Sequence, residues 1–135
     1  MAHIFWVGAG GFVGSVARYL LVNLAQSTWP NSFPIGTLLV NATGCLAMGW
    51  LSTLLENQPV LSSEVRSFLF IGILGSFTTF SAFGHETVTL LRHAGIGTAM
   101  ANVSANILLS IGGVLLGRAA AQLAEQAAVP DQDGS

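Results

Sequence analysis

Residues 75–86 read GSFTTFSAFGHE: three phenylalanines (Phe77, Phe80, Phe83), the hydroxyls of Ser76, Thr78, Thr79 and Ser81, then His85 and Glu86. The seven residues from Phe68 to Leu74 before it, FLFIGIL, carry no polar side chain. Polar groups set into an apolar run of this kind are costly in hydrocarbon, and they mark functional positions by default. Glycine lowers helix propensity, and threonine hydroxyls bond locally to the backbone. Gly75 with Thr78 and Thr79 therefore predicts an interruption in a membrane-spanning helix. Freed carbonyls at that depth need partners, and unwound carbonyls near a bilayer midplane suit a cation such as Na⁺. Phe80 and Phe83, three apart, share a helix face. A phenyl ring is electropositive at its edge, so rings turned edge-on to a polar lane can accept a small anion without a full positive charge. Ordinary aromatic packing is the competing reading of the same spacing.

Outward from this segment the chain keeps the same character. Of its 135 residues 52% are hydrophobic and 7% charged, against about 25% charged in soluble domains. At about 20 apolar residues per span, it divides into four spans at 4–25, 35–55, 66–91 and 97–120. QSTWPNSFP (26–34), ENQPVLSSE (56–64) and RHAG (92–95) have the Pro, Asn, Ser, Gly and charged residues of surface turns. The fold class is thus an all-α integral membrane protein of four transmembrane helices, the third interrupted. One domain covers 1–121, and the polar, acidic tail 122–135 is expected to be disordered. The N-terminus has neither the basic region nor the cleavage site of a signal peptide and reads as a retained first span. Trp6, Trp29 and Trp50 lie at or near span ends, as in an interfacial belt.

Charge excludes several functions. There is no lysine, and Arg18, Arg66, Arg92 and Arg118 are dispersed, so no basic patch exists for nucleic acid. Cys45 is the single cysteine and matches no metal spacing. No ATP-binding P-loop is present, and 4–25 holds no carboxylate for a proton-coupled exporter. Ser81, His85 and Glu86 do not make a nucleophilic triad, because adjacent helical side chains diverge by about 100°. Four spans put Arg66 and Arg118 on one side and Arg18 and Arg92 on the other. Since the Lys/Arg bias of short loops sets orientation, this two-against-two tally gives almost no instruction. One reading is dual topology with antiparallel pairing about an axis in the membrane plane; the other is that mid-helix features decide.

Other polar groups lie within the spans. Arg18 reads either as a snorkelling side chain or as an electropositive vestibule for anions. Asn41, near mid-depth in the second span, offers two donors that need partners. Asn102, Asn106 and Ser110 recur every four residues on one helix face, suiting a helix interface or a water-filled path. Gly10 with Gly14 and Gly113 with Gly117 form two G-x-x-x-G spacings for close helix contact.

Taken together, GGFVGSVARY (10–19), GTLLVNATG (36–44) and GSFTTFSAFGHET (75–87) resemble the Fluc (CrcB-type) family of fluoride channels. The resemblance covers the chain apart from its acidic tail, and the third segment is the most specific. It implies an antiparallel dual-topology homodimer in the cell (inner) membrane with two pores, each lined by both subunits. It also implies passive export of fluoride that entered as HF and was trapped as the anion, conferring fluoride resistance. By residue, Phe80 and Phe83 would present their edges to fluoride and Asn41 its amide. Thr79 and Ser81 would form a hydroxyl lane, Arg18 the vestibule cation, and Ser110 and Asn106 the pore side of the last span. Asn106 stands where relatives can carry serine. The carbonyls of Gly75 and Thr78 would hold a structural Na⁺ at the dimer interface. Glu86 resembles an acidic residue near the pore exit, and His85 has no role the family assigns. A small four-span drug or cation exporter and a non-transporting scaffold are the rival functions; the scaffold predicts that ring substitutions change stability but no ion flux.

Overall fold

The computed structural model describes residues 2–30, 33–56 and 62–128. Helices α1 (Ala2–Thr28) and α2 (Ile35–Glu56) form the first two spans. The third starts with α3 (Ser63–Arg66) and continues as a π-helical stretch, Ser67–Leu74, then α4 (Gly75–Phe77) and α5 (Phe80–His93). The last span is α6 (Ile96–Ala128). Four stretches, His3–Thr28, Ile35–Glu56, Ser63–His93 and Ile96–Ala127, are long and apolar enough to cross a bilayer.

Local chemistry fixes the ends. The hydroxyls of Ser27 and Thr28 both donate to the Leu24 carbonyl, at 2.9 and 2.8 Å, and the Trp29 N–H closes the last turn on the Ala25 carbonyl at 2.8 Å. Ser62 caps α3 by accepting the Val65 N–H. At the same end of the bundle Arg66 donates to the Leu55 carbonyl at 2.8 Å, and Arg118 lies 3.6 Å from Glu56. These two arginines thus share one side, as the span count requires. Between α5 and α6 the RHAG turn closes on Gly95, whose φ of 88° is the left-handed conformation that glycine adopts without a Cβ penalty.

Packing is close where residues are small. α2 lies along α6, and α1 along the π-helical stretch. A Cβ at Gly117 would overlap the Leu46 carbonyl, and one at Gly14 the Ile73 carbonyl, so both G-x-x-x-G spacings serve backbone approach. The interior reverses the soluble pattern. Buried apolar residues are few and mostly small (Ala25, Val40, Leu74, Leu90, Ala99, Ala121), while Thr37, Thr53, Thr79, Asn102 and Asn106 are buried beside them. Large apolar side chains such as Phe5, Phe12, Leu24, Ile71 and Leu108 face outward, as lipid contact demands.

Two boundaries differ from expectation. Gly75 is helical (φ −65°, ψ −33°), whereas the extended residues are Thr78 (φ −74°, ψ 157°) and Thr79 (φ −150°, ψ 115°). The β-branched threonines favour that backbone, and glycine at a helix end tolerates either. At the C-terminus α6 continues through 122–128 rather than fraying, because QLAEQAA consists of strong helix formers with no Gly or Pro. The rest of the acidic tail, 129–135, lies outside the described residues.

Candidate functional site

The site is organised by Thr79, a residue that bonds in three directions. Its hydroxyl accepts the Ala82 N–H at 3.3 Å, capping α5, and lies 3.3 Å from the Ser81 hydroxyl. Its own N–H donates to Asn41 Oδ1 at 2.8 Å. In a continuous helix the Thr79 N–H would go to the Gly75 carbonyl and the Ala82 N–H to the Thr78 carbonyl. Both donors point elsewhere, so these two carbonyls lose their helical donors and are free to meet another electrophile. An oxygen-only donor pair of this kind fits a hard monovalent cation. Among the described residues no cluster of His, Cys, Asp or Glu is close enough to hold a metal.

Asn41 is held on every side. Besides accepting from Thr79, it donates Nδ2 to the Thr79 carbonyl at 3.2 Å and to Asn106 Oδ1 at 3.1 Å. Asn106 donates to the carbonyl and to Oδ1 of Asn102, at 3.2 and 3.0 Å. Asn102 donates to the Thr87 hydroxyl at 2.9 Å, which donates to the Phe83 carbonyl at 2.7 Å. Asn102 is 0% and Asn106 5% exposed. The polar stripe on α6 is therefore a helix interface at Asn102 and Asn106 and lines a cavity at Asn106 and Ser110.

Two cavities flank this network. One, of about 240 Å³, is lined by Asn41, Phe80, Phe83, Asn106, Ile107, Ser110 and Ile111. The Phe80 and Phe83 rings have centroids 5.4 Å apart and planes inclined at 57°, a tilt that presents edge as well as face. The other, of about 690 Å³, is lined by Ser15, Arg18, Tyr19, Val22, Thr37, Thr79, Ser81, Ala82, His85 and Glu86. Five of the expected residues (Asn41, Phe80, Phe83, Asn106, Ser110) thus meet in the first space, and three (Thr79, Ser81, Arg18) in the second. Gly75 and Thr78 line neither.

Three participants lay outside the expected site. Thr37 donates to Glu86 Oε1 at 2.6 Å, while Oε2 is buried without a hydrogen-bond partner. Thr37 stands four before Asn41 in GTLLVNATG, on the same helix face. Thr87 and Asn102 complete the amide chain. Thr87 is one turn past Phe83, and Asn102 belonged to the polar stripe without being placed at the site. A second-span residue in phase with Asn41 and a hydroxyl in phase with Phe83 were the available signals.

Residues 5–118 match the model of the family described as CrcB-like protein, Camphor Resistance (CrcB). The chain is 42% identical over 120 residues to the fluoride-specific ion channel FluC of Rhizobium meliloti, covering 88% of this chain and 95% of that one. It is 45% identical over 118 residues to the protein of the same name from Paracoccus denitrificans, covering 87% and 93%. A third of that name, from Desulforapulum autotrophicum, is 42% identical over 123 residues, covering 87% and 98%.

Proposed function

The chain belongs to the CrcB-like protein family, and from that premise we propose that it is a fluoride-selective passive channel, exporting cytoplasmic fluoride down its electrochemical gradient and so conferring fluoride resistance. It is a multi-pass protein of the cell membrane, the inner membrane in bacteria, and not an enzyme. The observation that carries the reading is the cavity in which two tilted phenyl rings, two carboxamides and a serine hydroxyl converge without a basic side chain. Ring edges and neutral donors together replace the tightly held water of a small anion, yet bind it weakly enough for release.

In this mechanism fluoride gathers in the wider cavity, drawn by Arg18, and passes the hydroxyls of Thr79 and Ser81. It is then held by the edges of Phe80 and Phe83 and by the Asn41 amide, with Ser110 and Asn106 beside it. The assembly is an antiparallel homodimer arising from dual-topology insertion. Two features support this: the even arginine split, and Phe80, which is 83% exposed on the single chain although it lines the cavity that holds Asn41, Asn106 and Ser110. The carbonyls of Gly75 and Thr78, released by the Thr78–Thr79 interruption, would hold a structural Na⁺ at the dimer interface. When bound, that ion supplies a fixed positive charge to the two interrupted spans.

Fluoride efflux from liposomes containing the protein, followed with a fluoride electrode, tests the reading. Chloride-loaded vesicles and a Phe80→Ile variant are run in parallel. Rapid fluoride release without chloride release, much reduced in the variant, is the expected result. A well-folded protein that releases no fluoride returns the exporter and scaffold readings to the front.

A further inference from the structure

The hydrogen-bonded chain between Phe83 and Thr79 has only one possible direction. At one end the Phe83 carbonyl can only accept, so the Thr87 hydroxyl must donate to it and offers its lone pairs to Asn102. With its amide nitrogen turned to Thr87, Asn102 has only oxygens left to face Asn106, and both accept from Asn106 Nδ2. Asn106 then has only Oδ1 to give to Asn41. At the other end the Thr79 N–H can only donate, which fixes Asn41 Oδ1 toward it. Two backbone groups flanking the ring pair thus set the orientation of three carboxamides, the buried Asn102 and Asn106 and the half-buried Asn41. As a result both N–H donors of Asn41 are already engaged, with the Thr79 carbonyl and Asn106 Oδ1.

We propose that Thr87, Asn102 and Asn106 are positioning residues: they fix the rotamer and polarity of Asn41, so that an anion at the rings must draw an amide N–H away from Asn106 Oδ1. This rests on the channel reading above. The competition explains how a buried amide donor can serve fluoride without trapping it. Each anion that leaves is replaced by an acceptor already in place, so no buried N–H is left unpaired between passages.

The test uses Thr87→Val, which is nearly isosteric, Asn102→Ala, and the double variant, in the liposome efflux assay. A net hydrogen bond is worth roughly 0.5–1.5 kcal/mol. Each single change should therefore slow efflux about two- to twelvefold, and the double should be no slower than the slower single, because either change already severs the chain. Thr87→Ser should keep close to the original rate. Reductions that multiply in the double variant, or wild-type rates in both singles, overturn the proposal. A second readout does not depend on transport. With asparagine labelled in ¹⁵N, the side-chain amide signals of Asn41 should shift in Thr87→Val, although two side chains separate the residues; unchanged signals overturn the relay. If the parent protein carries no fluoride the channel reading fails, while the amide signals still decide the relay.

Discussion

Asn41 and Thr79, 38 positions apart, are bonded in both directions: the Thr79 N–H donates to Asn41 Oδ1 at 2.8 Å, and Asn41 Nδ2 donates to the Thr79 carbonyl at 3.2 Å. A side chain here takes the place of a neighbouring strand, satisfying both backbone groups of an extended residue inside a membrane span. This permits non-helical backbone at a depth where no solvent could satisfy it.

Replacing Asn41 with leucine removes both bonds and leaves the Thr79 N–H and carbonyl unpaired. With each orphaned group costing about 1–3 kcal/mol, Asn41→Leu should lose about 2–6 kcal/mol of stability as well as fluoride efflux. Thermal unfolding in detergent alongside the efflux assay measures both. A variant as stable as the parent would show that the double bond contributes nothing.

Thr79 also caps α5 through its hydroxyl. Thr79→Val suits the extended backbone but removes the cap, and should cost about 1 kcal/mol. Thr79→Ser should retain most of that stability. Equal melting temperatures for the two variants would argue against the cap.

Gly117 and Gly97 both lie in α6 but differ in surroundings. A Cβ at Gly117 meets the Leu46 carbonyl, whereas one at Gly97 meets nothing within 4 Å. Gly117→Ala should destabilise by about 1–3 kcal/mol through forced separation of α2 and α6. Gly97→Ala should be neutral or stabilising by up to about 1 kcal/mol. Comparing their unfolding temperatures checks the contact, and a harmless Gly117→Ala would refute it.

Arg18 lines the wider cavity with His85 and Glu86. If its charge gathers anions, Arg18→Gln should slow fluoride efflux severalfold at low ionic strength, and the deficit should shrink as salt screens the parent's advantage. Efflux at two ionic strengths, balanced with an impermeant salt, reads this directly. A deficit independent of salt would assign Arg18 to packing or snorkelling.

The four spans were legible because hydrocarbon imposes a length and a composition that the chain meets with few exceptions; the second, expected at 35–55, is Ile35–Glu56. The i, i+4 spacing of Asn102 and Asn106 also placed them on one face correctly. Their partners were not legible, since the Asn102–Thr87 and Asn41–Asn106 bonds depend on how α5, α2 and α6 are rotated against one another. No periodicity within a single segment encodes that rotation. In the tail, polarity suggested disorder from 122 onward, whereas helix propensity carries α6 through 122–128.

The π-helical stretch Ser67–Leu74 has a consequence for how the third span can be mapped. Its wider turn advances each residue by less than the about 100° of an α-helix, so the residues before Ser67 and those after Leu74 fall on wheels drawn out of phase. A cysteine-accessibility scan along the span would show two separate periodic patterns with a slip between them. Fitted to one continuous wheel, such a scan would assign lipid-facing positions to the pore and pore positions to lipid.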